Sequence, residues 1–99
     1  MWYAIMAEDA PASLEKRLQA RPEHLNRLKS LQDAGRLLLA GPFPAIDSID
    51  PGTNGYSGSL IVAEFNTLDE AKEWANNDPF TINGVYQQVT VKPFRKTLP

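Results

Sequence analysis

The 99 residues contain one histidine, His24, set in Arg21-Pro22-Glu23-His24-Leu25. Imidazole is the side chain whose ordinary titration falls near neutrality, so His24 is the leading candidate for a general acid/base. A carboxylate that fixes the imidazole tautomer and stabilises its charged form makes such a base effective. Asp78, in Asp78-Pro79-Phe80, can play that part although it lies far along the chain. Arg21 stands beside His24 and suits an anionic substrate group. Ser59, after Gly58, offers a hydroxyl, and Pro42 and Phe80 belong to segments expected at the same rim, where they would contact the ligand. Each residue also has a plainer role: a surface histidine, turn chemistry at Asp-Pro, a small residue opening a strand.

Other chemistry is excluded or disfavoured by composition. No cysteine is present, so thiol nucleophiles, disulfides and thiolate metal sites do not arise. A single histidine with scattered carboxylates matches no zinc or calcium spacing, and no metal or cofactor is expected. The formal charge of -2 offers no attraction to nucleic acid or an anionic bilayer, and neither is expected as a partner. Apolar runs such as Leu60-Ile61-Val62-Ala63 are too short to span a membrane, and no export signal opens the chain, so a cytoplasmic address is expected. Gly52, Gly55 and Gly58 are spaced by three but lack the strand-to-helix setting of a phosphate-binding loop. Lys16, Arg17, Arg21, Arg27 and Lys29 alternate with Glu15 and Glu23, the pattern of a solvated helix face.

The elements that must position these groups follow from periodicity and turn signals. A single domain spanning residues 1–99 is expected. Residues 2–7 are apolar throughout and read as a strand buried on both faces. Ser13 can cap a short helical piece over 14–19, and Pro22 suits the first turn of a restarted helix running to Gly35, with His24 near its start. A second strand is expected over 36–41, ending where Pro42 and Pro44 forbid regular pairing. A long loop over 45–57 follows, with a third strand over 59–65. Thr67 and Glu70 form a capping box for a helix to about Asn77, which Asp78-Pro79 ends. A fourth strand covers 85–93, with a loosely held tail beyond.

Strand, helix, strand, strand, helix, strand suggests the α+β ferredoxin-like βαββαβ arrangement, a four-stranded antiparallel sheet with both helices on one face. Reversal at each connection then carries His24, Asp78, Pro42 and Ser59 to one rim. The central strands are apolar on both sides, with Trp2, Ala4 and Met6 opposed to Tyr3, Ile5 and Ala7. Two helices cover only one face, so the other is expected to pack on a second copy in a homodimer.

With these residues assembled, the chain resembles the YciI-like (YCII-related) family. The resemblance rests on Ser13-Leu14-Glu15-Lys16-Arg17-Leu18, Arg21-Pro22 with His24-Leu25, Gly35-Arg36-Leu37-Leu38 and Ala40-Gly41-Pro42. It continues through Asp50-Pro51-Gly52, Gly58-Ser59, Ala63-Glu64-Phe65, Asp78-Pro79, Gly84-Val85-Tyr86 and Val91-Lys92-Pro93-Phe94. It implies a subunit of the dimeric α/β-barrel superfamily, in which sheets pair face to face. His24 and Asp78 match the family's proposed active-site pair, and Ser59 matches a position facing the pocket. Phe80 stands where relatives often carry tyrosine. The expected function is cofactor-independent proton transfer, isomerase or lyase in type, on a small cyclic or aromatic acid bound under the 42–58 loop. The alternatives are a non-catalytic module that binds a small molecule or a protein, and a cofactor-free monooxygenase.

Overall fold

Alternation along the first strand sorts its side chains onto two faces. In the computed structural model, which describes residues 1–99, Tyr3, Ile5, Ala7 and Asp9 of β1 (Trp2–Asp9) are buried while Trp2, Ala4 and Met6 are only partly covered. The elements that follow are α1 (Leu14–Asp33), β2 (Leu37–Pro44), β3 (Tyr56–Glu64), α2 (Leu68–Asn76), α3 (Pro79–Ile82) and β4 (Tyr86–Phe94). The strands form one antiparallel sheet in the order β2-β3-β1-β4. This is the ferredoxin-like α+β arrangement, with the single turn of α3 added before β4.

Register carries the face assignment across the sheet. Ile5 lies opposite Ile61 on β3 and Val91 on β4, and Ala7 lies opposite Ser59 and Val89. The inward set Tyr3, Ile5, Ile61, Ala63 and Phe65 packs with Leu28 and Leu31 of α1 and with Ala71 and Ala75 of α2 in one core. Both long helices therefore cover the same face. Each fully buried large side chain there, such as Ile5 or Ile61, contributes about 1.5–3 kcal/mol. On the other face Leu39, Phe43 and Phe94 are 46%, 41% and 38% exposed beside partly covered Trp2, Met6 and Leu60.

Local expectations needed five corrections. The two helical pieces are one continuous α1 with Pro22 inside it. Pro22 and Leu18 are both exposed, so water can take up the Leu18 carbonyl that the proline leaves without a donor. His24 consequently sits in the middle of the helix rather than on a first turn. Ser13 caps without its side chain: at φ -101° and ψ 3° its hydroxyl makes no capping bond, and its carbonyl accepts from Arg17 N–H at 2.9 Å. The prolines do not end β2, because Pro42 pairs with Ser59 and Pro44 with Tyr56 on an edge strand that has no outer neighbour to supply. The capping box is half present, since Thr67 Oγ1 accepts from Glu70 N–H at 3.1 Å whereas the Glu70 carboxylate lies 3.9 Å from Arg36. Phe94, placed in the tail by its sequence, closes β4 opposite Trp2.

Candidate functional site

The buried stripe of α1 runs Arg17, Ala20, His24, Leu28 and Leu31. Its carboxyl-terminal half is ordinary core. Its amino-terminal half sets two polar side chains seven residues apart on the same helical face, with alanine between them. The small Ala20 leaves room for Phe80, which is fully buried with Ala7, Ala20, Val85 and Tyr86.

His24 and Asp78 meet in this interior. Nδ1 of His24 lies 2.8 Å from Oδ1 and 2.9 Å from Oδ2 of Asp78, with the two residues 6% and 1% exposed. An ionised carboxylate only accepts, so Nδ1–H donates, and the neutral form of the ring then carries its lone pair on Nε2. Nε2 has no protein partner and opens on the cavity described below. Asp78 is held by the chain around it. Pro79 forces it out of the helical region, to φ -64° and ψ 137°, and its Oδ1 caps α3 by accepting from Phe80 N–H at 2.9 Å. Arg27 stands 3.7 Å from Oδ2, lies over Trp74 at 4.3 Å and donates to the Trp74 carbonyl at 3.0 Å. Burial pulls the Arg27 guanidinium below its ordinary value and the Asp78 charge opposes this.

Arg17 is the main departure from the sequence reading, which placed it on a solvated face. It is 5% exposed. Its Nε donates to Asp9 Oδ2 at 3.0 Å, and its Nη2 donates to the Gly58 carbonyl at 2.8 Å and to Ser59 Oγ at 2.7 Å. The guanidinium packs against two rings, 5.1 Å from that of Tyr56 and 4.7 Å from that of Phe80. Gly58 is required beside it, because a Cβ there would run into the Ala7 carbonyl. Burial pushes the Asp9 carboxyl above its ordinary range, opposed by the Arg17 charge and hydrogen bond. Burial also drives the Tyr86 phenol well above its ordinary value. Asp9 and Tyr86 are cross-strand partners, and Asp9 Oδ1 and the Tyr86 hydroxyl are enclosed without a hydrogen-bond partner. Each such atom costs about 1–3 kcal/mol, which marks this corner as built at the expense of stability.

A cavity of about 410 Å³ opens between α1 and the β2–β3 edge. His24, Arg21, Ser59, Pro42 and Phe80, all named from the sequence, line it, and Asp78 stands behind His24. Arg21 is exposed and occupies the mouth. The sequence reading missed Arg17, Tyr56 and the apolar wall of Leu25, Leu28 and Ile61. For Arg17 a signal existed in its seven-residue spacing from His24; for Tyr56 none did. No three His, Cys, Asp or Glu side chains converge to hold a metal ion, and no helix is long and apolar enough to cross a membrane.

Known proteins share this arrangement of chain. The sequence is 56% identical to Protein YciI of Escherichia coli O6:H1, over 97% of this chain and 98% of that one. It is 32% identical to the derivative of benzaldehyde biosynthesis cluster protein C of Emericella nidulans, over 80% of this chain and 79% of that one. The fold superposes on 5-chloro-2-hydroxyhydroquinone dehydrochlorinase (TftG) from Burkholderia phenoliruptrix AC1100, solved in complex with 2,5-dihydroxybenzoquinone. That match has a TM-score of 0.84 and 26% identity, covering 96% of this chain and 94% of the other. The YCII-related domain matches residues 1–95, and the chain therefore belongs to the YCII-related family.

Proposed function

We infer that this chain is an enzyme that moves a proton on a small cyclic or aromatic acid, with His24 as general base and acid and Asp78 as its orienting partner. One observation carries the reading: Nδ1 of His24 is held 2.8 and 2.9 Å from the two Asp78 oxygens, which leaves Nε2 as the reactive nitrogen of the cavity. Nε2 removes a proton from a carbon beside a ring carbonyl, and the C–H electron pair moves into the ring to leave negative charge on oxygen. Return of the same proton to another ring carbon completes an isomerisation. Departure of a leaving group with its bonding pair from the adjacent carbon completes an elimination, the proton then passing from His24 to solvent. Asp78 stabilises the imidazolium at each stage. Ser59 Oγ accepts from Arg17 and lines the cavity wall, and Arg21 attracts anions at the mouth.

The name and ligand of the Burkholderia relative, a dehydrochlorinase bound to a hydroxyquinone, support a ring substrate and the elimination branch. The reading is tested by assaying ring compounds with a leaving group beside an acidic position against wild type and His24→Gln. Turnover should fall by about 10²–10⁴ in the variant. Equal turnover in a folded variant would contradict the reading.

The same reading includes a homodimer formed through the open sheet face. Leu39, Phe43, Phe94, Met6, Leu60 and Trp2 lie on that face partly or largely uncovered, and exposed apolar patches mark interaction sites.

A further inference from the structure

We propose that Arg17 is the oxyanion anchor of the cavity, presenting Nη1 to a single ring-bound oxygen, so that the site selects cyclic hydroxy-carbonyl compounds ionised at oxygen over simple carboxylic acids. A guanidinium has five N–H donors. Three are spent inside the protein: Nε on Asp9, and Nη2 on the Gly58 carbonyl and on Ser59. Both donors on Nη1 have no protein acceptor. Nη1 is not among the enclosed atoms that lack a partner, and Arg17 lines the cavity, so these donors face the space a ligand occupies.

The pattern of spent donors decides the ligand class. Arginine grips a carboxylate with two parallel N–H groups, drawn from Nε with Nη2 or from the two Nη nitrogens. Nη2 belongs to both forks and is fully engaged, so neither is available. What remains is a charged donor suited to one oxygen. Its orientation is fixed by the three internal acceptors and by packing against the Tyr56 and Phe80 rings, 5.1 and 4.7 Å from the guanidinium carbon. A donor of this kind needs no reorganisation when charge develops on the oxygen it faces. His24 and Arg17 both pack against the Phe80 ring, at 3.9 Å between ring centroids and 4.7 Å from the guanidinium carbon, and both line the same cavity, so one ligand can meet the two. Leu25, Leu28 and Ile61 supply the apolar wall for such a ring.

This assignment rests on the proton-transfer reading for its catalytic meaning, since enolisation by His24 is what would place charge on the anchored oxygen. Binding alone tests the anchor. Calorimetric titration of wild type should show 2,5-dihydroxybenzoquinone bound about tenfold or more tighter than benzoate and than 2,5-dimethoxybenzoquinone, whose oxygens cannot ionise. Arg17→Lys, whose three N–H donors are no more than Asp9, Gly58 and Ser59 already take up, should lose about tenfold for the hydroxyquinone and little for benzoate. Because Arg17→Lys can unfold, the three-ligand comparison on wild type stands alone. Equal affinities for the three compounds, no binding of the hydroxyquinone, or a folded Arg17→Lys with undiminished affinity would overturn the anchor. His24→Gln should keep hydroxyquinone affinity within about threefold. A variant that keeps both affinity and proton exchange would sink the proton-transfer reading and leave the anchor standing.

Discussion

The rings of His24 and Phe80 lie face to face, 3.9 Å apart between centroids and 13° from parallel. This contact and the Asp78 carboxylate divide the control of one imidazole: the stack fixes the plane of the ring and the carboxylate fixes its tautomer. Phe80 is reached through Asp78, whose Oδ1 caps the turn that carries it. One short segment, Asp78-Pro79-Phe80, thus supplies both restraints.

Phe80→Leu should separate packing from chemistry. The ring is fully buried, and replacing it leaves a gap beside His24 and Arg17. Unfolding free energy should fall by about 1–3 kcal/mol in denaturant titration. Turnover should fall more than stability accounts for, because the imidazole loses its support. A variant with wild-type activity would show that the stack does not position His24.

Asp78 performs two tasks that substitution can separate. Asparagine is as good a helix cap as aspartate, so Asp78→Asn should lose no more than about 1 kcal/mol of stability. It does not hold the Nδ1–H tautomer as a carboxylate does, and turnover should drop by about 10²–10⁴. Asp78→Ala should lose the cap as well and unfold at lower denaturant than the asparagine variant.

Asp9 makes stability depend on pH with a definite sign. Burial raises its carboxyl above the ordinary 3.8, with the Arg17 charge opposing. The folded state therefore holds the Asp9 proton more tightly than the unfolded chain. The contribution of this group is complete below the unfolded value and is lost as pH rises through the folded one. Asp9→Asn keeps an acceptor for Arg17 and removes the titration. The wild-type minus Asp9→Asn difference in unfolding free energy should decrease as pH rises from below the ordinary carboxyl value of 3.8. A difference that grows with pH would contradict this.

The open sheet face makes a prediction about assembly. Light scattering at micromolar concentration should give wild type about twice the 11.0 kDa chain mass, and Leu60→Lys should return the single-chain value. A wild-type protein that runs at 11.0 kDa would contradict the homodimer.

Much of this architecture is legible in the sequence because period-two alternation and helix stops are local. Tyr3, Ile5 and Ala7 read as one face of a strand, and Asp78-Pro79 reads as the end of a helix, because a few neighbouring residues settle each. Pro42 and Pro44 misled, since whether a proline interrupts pairing depends on which side of the strand has a neighbour, and β2 is an edge. Pro22 misled in the same way: a proline inside a helix costs about 3 kcal/mol, and here the buried residues packed on both flanks of the helix offset it. Arg17 was hidden for a deeper reason. A buried guanidinium needs acceptors, and Asp9, Gly58 and Ser59 come from strands that only the tertiary fold gathers around it. Its charge pattern with Glu15 and Lys16 pointed to solvent, against the one inward signal of its seven-residue spacing from His24.

Solvent exchange at carbon tests the central role of His24 most directly. With 2,5-dihydroxybenzoquinone in heavy water, proton NMR reads the loss of the ring C–H signal as deuterium enters. Wild type should accelerate that loss over buffer, and His24→Gln, still folded and still binding, should return it to the buffer rate. Acceleration that survives in His24→Gln, or its absence from wild type saturated with the compound, would contradict proton transfer by His24.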